Sequence, residues 1–206
     1  MKLFKKNWNT KFLGMEIGMN SYDSVEIDES EIIGNENEIY WMFGLIDRIT
    51  KEARIFSILN DRTKSNLLKY VKNNVYTNNE DDINNDEFSE NELLNTRIYS
   101  DCFASYQPAD FQNLGYLLKR VNHSIWFGYG LFHTKNVEGL WSQIRRLTKN
   151  FNGISISNIN QMFDNNKDKN DYLNGWISFG LFLREIEKRK LSRLNRIKLL
   201  CEYIKI

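Results

Sequence analysis

Apolar and polar positions set the first elements of the chain. In Ser24 to Glu29 (SVEIDE), Val25 and Ile27 alternate with Glu26 and Asp28, the two-residue period of a half-buried strand. That pattern puts Asp28 at the end of the strand, on the face away from Val25 and Ile27. Tyr40 to Asp47 (YWMFGLID) is apolar almost throughout and predicts a central strand. Ala53 to Leu59 (ARIFSIL) predicts a third strand, with the turn at Arg48 to Lys51. Ser30 to Ile39 is a connection containing Gly34, asparagines and acidic residues, and short connections of this kind predict an antiparallel meander.

Helical spacing takes over after that. Thr63 is a candidate N-cap for a helix with the stripe Leu67, Leu68, Val71 and Val75. Arg97 to Asp101 predicts a short strand ending in an acid, Ala104 to Leu114 a helix with Pro108 early in it, and Leu117 to His123 another strand. A glycine-bearing aromatic loop, Ser124 to Phe132, leads to His133 to Arg146 (HTKNVEGLWSQIRR). There Val137, Leu140, Trp141, Ile144 and Leu147 form the stripe of a core-packed helix. Glu138 lies off the centre of that stripe, and Arg145, seven residues on, shares its face. Ser155 to Phe163 predicts a helix and Asn165 to Asp171 a polar break. Asp171 to Ile206 predicts a long helix, apolar all round in its first half and basic in its second, where Lys188, Arg189, Lys190, Arg193, Arg196 and Lys198 lie beside a leucine-rich face. Those cations are read either as a solvated face or as a contact to a DNA backbone.

Composition narrows the picture. The chain has 206 residues, 41% of them hydrophobic, so a full core can form. A net charge of +1 excludes a generally basic binder, and attraction to nucleic acid must come from local patches. Two cysteines far apart, Cys102 and Cys201, make neither a disulfide framework nor a zinc site and fit a reducing, intracellular compartment, nuclear in a eukaryote and cytoplasmic in a bacterium. No apolar run reaches the roughly 18 residues of a membrane span. The expected organisation is a short leader at 1–23, a catalytic domain at 24–165 carrying an acidic, lysine- and arginine-free insertion at 76–96, and a helical C-terminal extension at 166–206.

The order of elements carries the chemistry: three strands, a helix, a strand ending in Asp101, a helix, a strand, then the Glu138 helix. This is the layout of the ribonuclease H-like α/β fold, a mixed five-stranded sheet flanked by helices. Its first and fourth strands are neighbours, so the acids ending them meet, and a later helix brings a third. Three carboxylates at one point repel one another unless cations bind. Such oxygen-rich sites suit Mg2+ or Mn2+.

Several segments, taken together, resemble the ISXO-like DDE transposase domain of insertion sequences: VEIDES at Val25 to Ser30, WMFGLIDR at Trp41 to Arg48, YSDCFASY at Tyr99 to Tyr106, VNHS at Val121 to Ser124 and HTKNVEGLWS at His133 to Ser142. The resemblance covers about Val25 to Ile154. It implies that Asp28, Asp101 and Glu138 are an acidic triad holding two Mg2+ (or Mn2+) ions roughly 4 Å apart for phosphoryl transfer on DNA, by nicking and 3′-OH strand transfer. It also implies DNA as the partner and allows a homodimer. His123, His133, Lys135, Asn136, Arg145 and Arg146 are the candidate DNA or water contacts, with Lys135 and Asn136 at a helix start suited to phosphate.

Other readings stay open. Asp28 can be an exposed strand acid, Asp101 a helix N-cap and Glu138 a dipole partner. Both histidines can be structural, Trp141 reads as core rather than a base-stacking platform, and Glu29 should face away from Asp28 and is not a ligand. The family's glycine pair and basic residues after the first acid are replaced by Ile33 to Glu38 without a cation, and its N-terminal DNA-binding module has no counterpart in the two dozen residues before the first strand. The alternative function is therefore a co-opted or remnant domain that binds DNA or protein without catalysis, and a third is a nuclease that does not join strands.

Overall fold

A computed structural model of the protein describes residues 17–18, 24–35, 37–77, 96–121, 133–148 and 155–190, with 192 and 195. The expectations for most of the leader, for the body of the acidic insertion, for His123 and its loop, and for most of the basic C-terminal stretch lie outside those residues.

Five strands form one sheet: β1 (Ser24–Gly34), β2 (Ile39–Asp47), β3 (Ala53–Leu59), β4 (Arg97–Ser100) and β5 (Leu117–Arg120). Their order is β3-β2-β1-β4-β5. The first three are antiparallel, β4 runs parallel to β1, and β5 runs parallel to β4. Among the described residues five helices flank the sheet: α1 (Lys64–Lys72), α2 (Pro108–Gln112), α3 (Lys135–Thr148), α4 (Ile156–Met162) and α5 (Asn166–Lys188). This is the ribonuclease H-like α/β architecture that the element order predicts. Among the described residues no helix is long and apolar enough to cross a membrane.

Both faces of the sheet are buried, which is why β2 and β3 read as continuous apolar runs. Val25, Ile27, Phe43, Leu45 and Ile98 pack with Leu67 and Val71 of α1 and Phe111 of α2. On the other face Met42, Ile46 and Ile55 meet Val137, Leu140, Trp141 and Ile144 of α3 and Ile177, Leu181 and Phe182 of α5. A smaller cluster joins Tyr40, Leu59, Ile156, Ile159 and Leu173. α5 is thus apolar along much of its length because it is a layer of the core.

Several boundaries move from their sequence-based positions. β1 continues past Glu29 to Gly34, through a bulge between Glu31 and Ile33, so Asp28 is in mid-strand rather than at its end. Pairing with β2 satisfies the backbone of polar residues that alone read as a loop, and the hairpin closes where Asn35 Oδ1 accepts the N–H groups of Asn37 and Glu38. α2 begins at Pro108, not Ala104: proline has its φ preset and no N–H to lose at a first helical position. Val75 lies beyond α1 and bridges to Ile17 instead of completing the helix stripe. Asn166 to Asp171 are helical, because the Asn165 side chain accepts the Asp168 N–H at 2.9 Å and starts α5 there. α5 stops at Lys188, with Lys190 in the left-handed region at φ 48°.

Candidate active site

Asp28 stands on β1 directly opposite Gly44 of β2. Both belong to the face covered by α3. A Cβ on Gly44 would come within 2.2 Å of the Trp141 ring, so the bare glycine is what lets the indole lie on the sheet. From there Trp141 Nε1–H donates to Asp28 Oδ2 at 2.8 Å. Trp141 is therefore core, as its spacing suggests, and also a hydrogen-bond donor to the first acid of the predicted triad.

Asp101 follows the last residue of β4, the parallel neighbour of β1. Its Oδ1 accepts the Phe103 N–H at 2.9 Å, a local turn that orients the carboxylate. Glu138 lies in the first turn of α3, exposed, with Oε1 accepting from Thr134 Oγ1 at 2.8 Å. The Asp28 carboxyl is pushed up to about 6, chiefly by burial; the Trp141 hydrogen bond opposes this, and the charges of Asp101 and Glu138 add to it. Elements from three separate parts of the chain thus bring negative charge to Asp28. Among the described residues, no three acidic, histidine or cysteine side chains are gathered closely enough to cage an ion.

Glu29 faces away from Asp28, as alternation requires, and pairs with Arg62 at 3.0 Å. Burial pushes its carboxyl up to about 7 in spite of Arg62, with the charges of Asp28 and Asp101 contributing.

Sequence reasoning missed Glu26. It is fully buried on the Asp28 face and holds the start of α3. Its Oε2 accepts the N–H groups of Asn136 (2.8 Å) and Val137 (3.0 Å), and its Oε1 accepts from Asn136 Nδ2 (2.6 Å). Arg48 Nε lies 2.9 Å from Oε1 and His133 Nδ1 3.3 Å. A carboxylate from a strand thus caps the helix that carries Glu138, where the helix dipole favours it. The two-residue spacing of Glu26 and Asp28 was the only available signal, since it puts both on one strand face.

Of the candidate contact residues, His133 and Asn136 fall into the same network. His133 Nε2 sits 2.9 Å from Arg48 Nη2, which can only donate, and Nδ1 lies 3.3 Å from Glu26 Oε1 and 3.4 Å from the Lys135 backbone nitrogen. Burial and the Arg48 charge hold its pKa below the usual imidazole range. Asn136 Oδ1 accepts from Lys51 Nζ at 2.8 Å. Arg145 donates to Ser30 Oγ at 2.5 Å and to the Glu31 carbonyl, Arg146 pairs with Glu187 of α5, and Lys135 is exposed at the start of α3.

No protein-family model matches the chain, and neither does any curated protein. Among solved structures it is similar to the catalytic core domain of HTLV-2 integrase, a dimeric form in complex with magnesium. The TM-score is 0.40 at 10% identity, over 65% of this chain and 74% of that one. The fold assignment rests on the strand order and strand senses described above.

Proposed function

We propose that this chain is a DDE-type nucleic-acid-processing domain, of the ISXO-like transposase kind, in which Asp28, Asp101 and Glu138 hold Mg2+ or Mn2+ for phosphoryl transfer on DNA. The observation that carries the reading is the placement of the acids: Asp28 lies on β1, Asp101 follows β4, the parallel neighbour of β1, and Glu138 lies in the first turn of α3, the helix whose Trp141 donates to Asp28. Like charges converging on a desolvated carboxylate are costly, and a divalent cation removes that cost. The donor chemistry fits such an ion, since all three ligands are hard carboxylate oxygens. Bound there, a pair of such ions supplies activation of the attacking oxygen and stabilisation of the leaving oxygen of a phosphodiester.

The chain's own residues orient the site. Trp141 fixes Asp28 Oδ2, the Phe103 N–H fixes Asp101 Oδ1, and Thr134 together with the Glu26 cap sets Glu138. Lys135, Arg145 and Arg146, at the two ends of α3, are the DNA contacts on this reading, with His123 of the VNHS motif as a further one. His133 and Asn136 act through the Glu26 network. The reading includes nicking by water, joining of a 3′-OH to target DNA, and a homodimer that presents two such sites.

A second reading, a domain that binds DNA or protein without cleaving it, is favoured by one observation: among the described residues the acidic side chains are near one another but not gathered to ligating distance. Thermal melting in Mg2+ or Mn2+ separates the two. At a hundred times its dissociation constant, the ion should stabilise the wild type by about 2.7 kcal/mol and Asp101→Asn much less. Equal shifts in both proteins would remove the metal site. Nicking of a labelled duplex then tests catalysis, and a joined product tests strand transfer.

A further inference from the structure

Arg62 precedes α1 in sequence and belongs to none of the elements that carry the three acids, yet it ties two of those elements together. Its guanidinium lies 3.9 Å from the centre of the Trp41 ring, on β2, and 4.2 Å from that of Phe103, two residues after Asp101. The same group pairs with Glu29 of β1 at 3.0 Å. The Arg62 carbonyl accepts from Ser105 Oγ at 3.3 Å, so main chain and side chain both grip the segment that follows Asp101.

That segment has little regular structure of its own. Between the end of β4 at Ser100 and the start of α2 at Pro108 lie seven residues without helix or strand. Asp101 is bound to it through the Phe103 N–H. The direction of the Asp101 carboxylate is therefore set by where Phe103 sits, and Phe103 sits on Arg62. A planar guanidinium between two aromatic rings resists both tilting and sliding, which a flexible ammonium does not.

We propose that Arg62 is a positioning residue for Asp101. Sandwiched between Trp41 and Phe103 and anchored by Glu29, it holds the turn that aims the Asp101 carboxylate towards the metal beside Asp28. The inference rests on the reading of Asp101 as a metal ligand. Residues one step behind a ligand change metal affinity by about 10–100-fold when they are removed.

The test uses Arg62→Met, which keeps an apolar stem between the rings but loses the plane and the charge, together with Arg62→Lys. Two quantities are read: Mn2+ affinity, from the electron paramagnetic resonance of the free ion, and amide hydrogen exchange at Phe103. Arg62→Met should weaken Mn2+ binding about 10–100-fold and speed exchange at Phe103, while β2 amides keep their wild-type rates. Arg62→Lys should recover less than half of the loss on a logarithmic scale. A folded Arg62→Met with wild-type Mn2+ affinity and an unchanged Phe103 rate overturns the proposal. If Arg62→Met does not fold, Phe103→Leu removes one ring of the sandwich, and the same pair of outcomes decides. Should the wild type itself bind no Mn2+ while Asp101→Asn behaves identically, the metal reading is what fails, and the Phe103 exchange rate alone decides whether Arg62 holds the turn.

Discussion

Replacing Asp28 by asparagine should make the metal-free protein more stable, not less. The carboxyl is displaced from its ordinary 3.8 to about 6 by burial and by its acidic neighbours. A tenfold change in proton affinity is worth about 1.4 kcal/mol, so holding the ion in the native state costs up to about 3 kcal/mol. The sign follows from proton binding. Below pH 3.8 the group is protonated in both folded and unfolded chains and contributes nothing. Between 3.8 and about 6 the unfolded chain ionises first, so stability falls as pH rises, and above about 6 the loss is complete. The substituted amide never ionises, and its oxygen can still accept from Trp141 Nε1–H. The gap between Asp28→Asn and wild type should therefore open from near zero at about pH 4 to about 3 kcal/mol at about pH 8. In urea that is a midpoint about 1 M higher, for a slope of about 2–3 kcal/mol per M. Urea unfolding in a chelator, at both pH values, measures it. An Asp28→Asn protein that is less stable than wild type at the higher pH, or a gap that does not change with pH, would refute the idea that desolvated negative charge is being held at this position. Saturating Mg2+ should close the gap by stabilising only the wild type.

Two further substitutions test the scaffold around the site. Gly44→Ala forces a Cβ into the Trp141 ring and should lower stability by about 1–3 kcal/mol in urea, with a change in tryptophan fluorescence as the indole is displaced; an unperturbed spectrum and midpoint would show that the ring does not lie on this glycine. Glu26→Gln leaves Arg48 facing a neutral partner at a fully buried position and weakens the cap of α3, for a cost of about 3–5 kcal/mol by the same denaturation; a loss under about 1 kcal/mol would mean that the helix start is held by other contacts.

Much of the fold could be read from local pattern. β3 has the bounds its apolar run implies, β2 begins one residue earlier, and the α3 stripe of Val137, Leu140, Trp141 and Ile144 is the set that packs on the sheet. These features depend on residues a few positions apart, and the period of side-chain direction is fixed by the backbone itself. The element order then led to the sheet topology, because few arrangements of such elements are open to a chain with short connections.

What local pattern could not contain is what distant segments do for each other. Glu26 read as the polar half of an alternating strand, and only the docking of α3 on β1 makes it a buried helix cap with Arg48 and His133 around it. Gly44 read as one small residue in an apolar run, and only the indole above it gives its missing side chain a purpose. Ser30 to Gly34 read as a loop because its polar residues hide the pairing that β2 supplies. Periodicity, set by neighbours along the chain, was legible from residue order alone. The company that each buried charge keeps was decided by packing, because desolvation and Coulomb interaction depend on distance in space and not on separation along the polypeptide.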